Sequence, residues 1–393
     1  MKLYAKPAFA PVDRPDDARF SSGPCKKRPN WSLAQLQQAP LGRSHRHKIG
    51  KSRLLAAIER SRELLQIPDN YLIGITPASD TGAMEMALWS LLGPKPVDVL
   101  AWESFGKGWA VDIGQQLKLP DVRVLDAPYG ELPDLTNVRP DADVVFTWNG
   151  TTSGVRVPDG NWISDSRTGL VICDATSAAF AQKLDWPKLD VVTWSWQKVM
   201  GGEAAHGMIA LSPRAVQRLE SHTPTWPVPK IFRLTKNGKL IQGVFTGSTI
   251  NTPSMLCVED YLDALNWGKE LGGLSALQQR CDDNLAVLSA WEEQTPWVEF
   301  LCKNTQNRSN TGVCFAFADP KIKALEPAQQ LALVKQITGL LEAEQVAFDI
   351  GGYRDAPPGL RIWCGATIEQ SDLQKLTPWL NWAYAMAVAE LFS

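Results

Sequence analysis

The chain has 393 residues, of which 44% are hydrophobic and 21% are charged, a composition typical of a globular protein with enough apolar mass for a large core. A formal net charge of −2 at pH 7 excludes a general nucleic-acid-binding protein, because such proteins carry a clear excess of positive charge. The seven cysteines are scattered and form no CxxC pair, which argues against a disulfide framework and against a zinc site.

The start of the sequence, MKLYAKPAFAPVDRPDD, lacks the long apolar stretch that a secretory signal needs. No uninterrupted apolar run elsewhere is long enough to span a bilayer. We therefore expect a cytoplasmic protein with reduced thiols and no bound metal, whose partners include neither a membrane nor a nucleic acid.

The first 256 residues predict a layered α/β structure. Residues 1–30 are rich in proline and charge and predict an irregular N-terminal arm. After them a helix at Lys51–Leu65 is followed by an apolar strand at Tyr71–Thr76, and further helices are predicted at Ala83–Leu91 and Gly108–Leu117. Further strands are predicted at Val97–Trp102, Val122–Leu125, Val144–Trp148, Leu170–Cys173, Val191–Ser195 and Gly207–Leu211. This alternation predicts a mostly parallel seven-stranded sheet with helices on both faces.

The pattern changes near residue 257, where Cys257–Glu292 predicts a long helical region. The remaining predicted elements are strands at Val298–Leu301, Gly312–Ala316, Ala347–Ile350 and Leu360–Trp363 and helices at Pro327–Glu344 and Ser371–Leu391. They predict a second, smaller α/β unit. We therefore expect an arm (1–30), a large domain (31–256) and a small C-terminal domain (257–393).

Two charged residues follow strands of the predicted sheet, at the edge where parallel α/β sheets bind ligands. Asp174 ends the strand LVIC and could pair with a protonated pyridine nitrogen, or could equally cap the next turn. Lys198 follows a later strand and could act as an imine-forming amine, although a lysine taken alone is more often a solvated surface residue. The 24 positions that separate them leave room for one helix and one strand, which predicts that they meet at neighbouring strand ends.

Two polar turns follow other predicted strands. The turn Ala78–Gly82 begins a helix, and its N–H groups and hydroxyls could bind a phosphate, although a plain helix cap is favoured when the turn is taken alone. The turn Asn149–Gly154 could reach the phenolic oxygen of a cofactor or could be an ordinary loop.

Two groups of cationic residues could bind anionic parts of a substrate. Arg43–Lys48 could equally be a solvated basic face or a nucleic-acid patch, but no aromatic residues interleave it, as single-strand binding would favour. Arg354 and Arg361 flank the strand LRIWC and could grip a carboxylate and a second anion, or could form surface salt bridges.

Together these segments resemble the fold type I, class V aminotransferases that use pyridoxal 5′-phosphate (PLP), and within them the phosphoserine aminotransferase family. The resemblance spans nearly the whole chain and follows the family's order. The matching segments are Phe20–Pro24 (FSSGP), Ser44–Arg46 (SHR), Asn149–Gly154 (N-x-T-x-x-G), Asp174, Gln197–Lys198, Asn251–Pro253 and Arg361. It implies a fold type I PLP-transferase, with a seven-stranded large domain and a smaller C-terminal α/β domain.

The resemblance implies roles for residues around the cofactor. Lys198 would form the Schiff base with PLP and move the substrate proton, and Asp174 would hold the ring nitrogen. Thr151 would support the phenolic oxygen, and Trp109 would stack on the ring, with Phe105 as a close competitor. The residues implied to face the cofactor phosphate are Ser79, Asp80, Gln197 and, across a homodimer interface, Asn251 and Thr252.

The resemblance also implies how substrates would bind. Arg361 and Ser22 would belong to the substrate site, with Arg361 on the α-carboxylate. His45 and Arg46, across the homodimer interface, would bind a substrate phosphate together with Arg354. The implied reaction is transamination between L-glutamate and 3-phosphohydroxypyruvate, a step of serine biosynthesis that could also serve pyridoxine biosynthesis. An alanine– or serine–glyoxylate aminotransferase is the nearest alternative, and a non-catalytic PLP-binding protein is a remote one.

Two departures from the commoner branch of this family bear on the substrate. The phosphate turn reads Ala78-Ser79-Asp80-Thr81, where that branch has glycine and arginine. Tyr353-Arg354 stands where that branch has His-Arg. Both departures indicate a divergent subgroup.

Overall fold

The computed structural model describes residues 6–392, and its largest feature is a seven-stranded sheet. The strands of this sheet are β1 (Leu72–Pro77), β2 (Val97–Ala101), β3 (Val122–Asp126), β4 (Asp143–Thr147), β7 (Val171–Asp174), β8 (Val191–Ser195) and β9 (His206–Leu211). They lie in the order β1-β9-β8-β7-β4-β2-β3. Because β9 alone runs antiparallel to its neighbours, the prediction of a mostly parallel seven-stranded sheet is confirmed.

Helices cover both faces of this sheet. They are α1 (Lys48–Leu65), α2 (Ser79–Leu91), α3 (Ser104–Val111), α4 (Pro213–Ser221) and α5 (Met255–Glu270). Every residue of β2, β4, β7, β8 and β9 is buried, which explains why these strands read as continuous apolar runs. Successive side chains point to opposite faces, so Val145 and Phe146 of β4 belong to two different hydrophobic clusters.

The strand register fixes what lies at the carboxyl edge of the sheet. Asp174 at the end of β7 pairs with Thr147 of β4 on one side and with Thr193 of β8 on the other. The chain leaves β8 directly into the loop that carries Lys198, while α2 begins two residues after β1 ends. One edge therefore collects the strand ends and the helix start that the sequence marked as chemically useful.

The C-terminal part contains a second, three-stranded antiparallel sheet made of β12 (Val298–Phe300), β13 (Gly312–Phe317) and β14 (Gly359–Trp363). Its helices are α6 (Leu274–Glu293), α7 (Pro320–Lys323), α8 (Pro327–Ala343) and α9 (Gln370–Leu391). Two short hairpins complete the strands: β5 (Asn149–Gly150) with β6 (Val155–Arg156), and β10 (Thr235–Lys236) with β11 (Lys239–Leu240). One hydrophobic cluster runs from the large sheet into this region, and the division at residue 256 stays a prediction.

The N-terminal segment connects the two sheets. Within residues 6–30 the structure has no helix or strand. The Phe20 carbonyl accepts a hydrogen bond from the Trp363 N–H of β14 at 3.0 Å, and the Cys25 N–H donates to the Gln197 carbonyl at 2.9 Å. The segment therefore runs from the small sheet to the loop that carries Lys198.

Some element predictions need correction. The strand predicted at Ala347–Ile350 was wrong: Phe348 makes only an isolated bridge with Arg19, and Asp349 has a φ of 57°, which a strand cannot accommodate. The long helical region from Cys257 divides into α5 and α6 at Gly272 and Gly273, whose φ values are 121° and 80°. Among residues 6–392, no helix combines the length and the apolar character that crossing a membrane requires.

Candidate active site

A cavity opens at the carboxyl edge of the large sheet. The residues that line it are Ser79, Asp80, Thr81, Glu103, Phe105, Trp109, Thr147, Asn149, Thr151, Asp174, Thr176, Ser177, Gln197 and Lys198. Eight of the predicted cofactor-site residues meet here: Ser79, Asp80, Trp109, Thr151, Asp174, Gln197, Lys198 and the competing Phe105.

Asp174 is a fixed, buried hydrogen-bond acceptor at the floor of this cavity, with only 6% of its surface exposed. One of its carboxyl oxygens accepts the Thr176 N–H at 2.9 Å, and the other accepts the indole N–H of Trp109 at 3.3 Å. Two donors hold the carboxyl group in one orientation. This carboxylate can therefore receive a cationic ring N–H.

Lys198 extends into the same cavity as Asp174, although 24 positions separate them in sequence. Burial lowers the pKa of Lys198, as an amine that reacts with a carbonyl requires. Its ammonium donates a hydrogen bond to the Ser22 carbonyl. A Cβ at Gly23 would come within 2.6 Å of Lys198 Nζ, so a side chain at that position would displace the end of the lysine.

The polar turn after β4 forms a network that the sequence predicted only in part. The hydroxyl of Thr151 donates to Ser177 Oγ at 2.7 Å, and Asn149 Nδ2 donates to the same oxygen at 2.8 Å. Ser177 in turn donates to the Asn149 carbonyl at 3.0 Å. Sequence reasoning missed Ser177, although it lies three positions after Asp174 in a stretch of small residues that the strand-end rule could have covered.

The start of α2 has a backbone suited to an anion. Ala78 and Ser79 both adopt positive φ values, 64° and 54°, and the first N–H groups of the helix follow directly. Such N–H groups attract anions because they lack partners within the helix. Ser79 therefore lies where a phosphate could bind, whereas the carboxyl of Asp80 interacts with that of Asp174.

The two aromatic candidates differ in burial and in contacts. Trp109 is 6% exposed and bonds to Asp174, whereas Phe105 is 39% exposed and packs against Tyr353 with ring centroids 5.8 Å apart. Trp109 thus lies inside the cavity, where it could stack on a cofactor ring. Phe105 lies toward its entrance.

Glu103 is a second buried acid that the sequence did not reveal. Its carboxylate caps α3 by accepting the Gly106 N–H at 2.7 Å, and it accepts the Thr152 hydroxyl at 2.8 Å. Burial raises the pKa of Glu103 to about 7. Its cap also explains why the helix predicted from Gly108 already begins at Ser104.

The buried polar atoms of this cavity fit PLP. Those without a hydrogen-bond partner include Asp80 Oδ1, Thr147 Oγ1, Thr176 Oγ1 and Gln197 Oε1, and such atoms are rare unless a ligand or water satisfies them. The cavity combines an amine, a carboxylate for a ring nitrogen, hydroxyls for a phenolic oxygen and a helix start for a phosphate. This donor set matches the polar groups of PLP one by one.

The predicted substrate residues lie outside the lining of this cavity. Ser22 borders it, because its carbonyl accepts a hydrogen bond from Lys198 Nζ. Arg361 has a buried Nε that lacks a partner, and its guanidinium lies 5.5 Å from the Tyr353 ring centroid. We call His45, Arg46 and Arg354 the basic group. Arg46 Nε donates to His45 Nε2 at 3.3 Å on the loop before α1, and Arg354, 81% exposed at its side chain, pairs with an aspartate at 3.5 Å.

Asn251 and Thr252 also lie outside the cavity, in the loop before α5. Thr252 is exposed, and Asn251 Nδ2 donates to the Thr252 carbonyl at 3.3 Å. A single chain therefore does not bring these two residues to the cavity.

Comparison with known proteins identifies the family. No protein-family model matches the chain. It is 58% identical over 376 residues to a phosphoserine aminotransferase of Methanosarcina barkeri and 59% identical over 374 residues to one of Methanosarcina mazei, and both matches cover 95% of this chain and 98% of the relative.

Solved structures agree with the fold. The phosphoserine aminotransferase of Cytophaga hutchinsonii superposes with a TM-score of 0.78 at 20% identity, covering 93% of this chain and 98% of that chain. The predicted fold type I architecture is therefore confirmed. The identity to the two Methanosarcina proteins, over nearly the whole chain, shows that the chain belongs to the phosphoserine aminotransferase family of PLP-dependent enzymes.

Proposed function

We propose that the chain transfers the amino group of L-glutamate to 3-phosphohydroxypyruvate, giving O-phospho-L-serine and 2-oxoglutarate. The observation that carries this proposal is the meeting of Lys198 and Asp174 in one cavity whose polar groups suit PLP. The names of the Methanosarcina relatives support this substrate pair. So does the basic group, which suits a substrate that bears a phosphate.

The residues of the cavity would divide the chemistry among themselves. PLP supplies the electron sink that makes loss of the α-proton possible. The neutral amine of Lys198 would bind the cofactor covalently in the resting enzyme and then move the proton from the substrate α-carbon. Positioned acid–base groups of this kind contribute roughly 10²–10⁴-fold in rate. Asp174 would hold the ring nitrogen, and Trp109 would cover the ring.

The substrate would be held by cations at the entrance of the cavity. Arg361 has a buried Nε without a partner, so a bound α-carboxylate would supply the missing acceptor. Ser22 would lie beside it, because its carbonyl already contacts Lys198 Nζ. The phosphate of the keto acid would bind to the basic group.

We also propose a homodimer that shares its active sites. Exposed apolar residues cluster on elements that pack together near the start of α1 and α5: Leu33, Leu41, Ile49, Leu55 and Leu256. Such a patch is typical of a protein interface. His45, Arg46, Asn251 and Thr252 lie in the loops that precede these helices, so a second copy could receive them at its own cavity.

The metabolic setting follows from the proposed reaction. Its product would feed a phosphatase that releases serine, which corresponds to serine biosynthesis in the cytoplasm. A second phosphorylated keto acid from pyridoxine biosynthesis would be a further substrate if the basic group recognises phosphate alone.

A spectral titration of the holoenzyme tests the proposal. L-Glutamate should convert the visible absorbance of the bound cofactor, and 3-phosphohydroxypyruvate should restore it at micromolar to millimolar concentrations, the usual range of substrate affinity. Glyoxylate serves as the control keto acid. Restoration by glyoxylate but not by 3-phosphohydroxypyruvate would instead identify an alanine– or serine–glyoxylate aminotransferase.

A further inference from the structure

The cavity contains a carboxyl group that the proposed mechanism does not use. Asp80, in the first turn of α2, is 6% exposed, and its carboxyl lines the same cavity as that of Asp174 and interacts with it. Among residues 6–392, neither carboxyl forms a salt bridge, and Lys198 is the cation that interacts with both at longer range. Two acidic groups therefore face each other in a buried place without a cation between them.

Asp80 does not cap α2 by accepting backbone N–H groups, as an acidic residue in the first turn of a helix usually does. No backbone N–H donates to its carboxyl, and Asp80 Oδ1 is buried without any partner. The hydroxyls of Thr176 and Thr193 face the same carboxyl and are likewise unpartnered. Capping of α2 thus does not explain why an aspartate stands here.

Two adjacent carboxylates in a buried site cannot both be ionised, because their repulsion is not screened by water. Asp174 accepts two N–H donors, from Thr176 and Trp109, so both of its oxygens already act as acceptors. Asp80 accepts none from the backbone or from a cation, so the proton belongs on Asp80. Burial, together with the negative charge of Asp174, raises the pKa of Asp80 well above its usual range.

The other titratable groups around Asp80 do not change this assignment. Glu103 adds a further acid whose pKa burial raises, while burial lowers the pKa of His206 behind the helix start. Cys173 is buried, and burial raises its pKa as well. Lys198 is the cation of the cavity, and its ammonium hydrogen-bonds the Ser22 carbonyl rather than either aspartate.

We propose that Asp80 is a positioning residue that stays protonated and donates its O–H to Asp174, so that an acid–carboxylate pair faces the ring nitrogen of the cofactor. A carboxylate accepts about four hydrogen bonds. Thr176 and Trp109 supply two of them, Asp80 supplies a third, and the ring N–H takes the fourth. The carboxylate is then fully satisfied, which keeps the ring proton on the nitrogen.

Infrared spectroscopy of the full chain tests where the proton lies. At about pH 8, above the pKa of about 7 of Glu103, the apoprotein and the holoenzyme should both show the C=O stretching band of a protonated carboxylic acid. Asp80→Asn should remove this band. Glu103→Gln is the matched control for a buried acid of the same cavity, and it should leave the band in place.

Cofactor affinity tests what the proton does. Asparagine can still donate an N–H to Asp174, so Asp80→Asn should keep the dissociation constant of PLP within about threefold of the wild type, whereas Asp80→Ala should weaken it about tenfold or more. An infrared band that survives Asp80→Asn would overturn the proposal. So would an Asp80→Asn variant that binds PLP as weakly as Asp80→Ala.

The proposal rests on the proposed orientation of PLP, with its ring nitrogen toward Asp174. The infrared band of the apoprotein does not depend on which keto acid the enzyme uses, so a wrong substrate assignment would leave this result unchanged. If Asp80→Ala does not fold, which circular dichroism would reveal, the comparison of the wild type with Asp80→Asn decides alone.

Discussion

The cavity and the basic group differ in how far one chain completes them. In the cavity, Asp174 and Lys198 are held by neighbouring strand ends, and their hydrogen-bond partners are already present. In the basic group, Arg354 is 81% exposed at its side chain, and the Arg46 guanidinium donates to the neighbouring His45. The comparison teaches that the sheet of one chain brings the cavity residues together. In the proposed homodimer, recognition of the substrate phosphate would depend on loops of the second copy.

The largest expected effect is a loss of activity on removal of the lysine of the cavity. Lys198→Ala should lower kcat by at least about 10⁴-fold, because it removes both the covalent anchor and the group that moves the proton. The visible absorbance of the bound cofactor should disappear at the same time. Lys269→Ala, at an exposed lysine that pairs with Glu63, is the matched control and should change neither quantity.

The next effect concerns the basic group and should appear in KM rather than in the cofactor spectrum. Arg46→Ala and Arg354→Ala should each raise KM for 3-phosphohydroxypyruvate by about 10–100-fold, because each removes a charged hydrogen bond to phosphate. The response to L-glutamate should persist. Arg43→Ala, in the same exposed loop, controls for loss of general positive charge, and a KM increase of equal size there would contradict the assignment.

A mixing experiment tests whether Arg46 serves the cavity of its own subunit or that of the partner. Lys198→Ala and Arg46→Ala homodimers should each be nearly inactive, the latter at low keto-acid concentration. In a random mixture, half of the dimers are hybrids with one intact site, so activity should recover to about a quarter of the wild-type value. Activity that does not recover, although native mass spectrometry detects hybrids, would mean that Arg46 serves its own subunit.

The smallest effect concerns stability and the buried acid of the cavity. The folded-state pKa of Glu103 is about 7, against an ordinary value of 4.5, so the folded protein holds this proton more tightly than the unfolded chain. The contribution of Glu103 to the free energy of unfolding is therefore fully present below pH 4.5 and falls by about 3 kcal/mol as the pH rises to 7.

Glu103→Gln should remove this part of the pH dependence, which corresponds to several degrees in the Tm of the apoprotein. Glu63→Gln, at an exposed ion pair with Lys269, is the control and should leave the pH profile as it is in the wild type. A wild-type profile that is flat between pH 4.5 and 7 would contradict the assignment.

The strand ends could be predicted from the sequence because they depend on local patterns. Asp174 directly follows a buried apolar run, and the carboxyl ends of parallel strands meet by topology. The same rule could have covered Ser177, which lies three positions after Asp174. The contacts of Ser177 and Glu103 could not be predicted in this way, because their partners come from other segments and only the folded chain brings them together. The orientation of the Asp80 carboxyl could not be predicted for the same reason.

The wrong strand at Ala347–Ile350 has a different cause. A short apolar run bounded by polar residues is compatible with a strand, but it does not define the backbone conformation. Asp349 adopts a left-handed conformation with a φ of 57°, which aspartate tolerates better than most residues. Tertiary contacts of the arm decide this segment, and a short window of sequence does not contain them.

The short segment Phe20–Cys25 is hydrogen-bonded to both sheets of the molecule. One end is hydrogen-bonded to β14 through the Trp363 N–H, and the other is hydrogen-bonded to Gln197, next to the reactive lysine. Between them, the Ser22 carbonyl touches Lys198 Nζ with only a glycine hydrogen for clearance at residue 23. A rotation of the three-stranded sheet against the seven-stranded one would move this segment, and with it the Ser22 carbonyl that Lys198 Nζ contacts. The surroundings of the Lys198 amine therefore depend on how the two sheets are arranged.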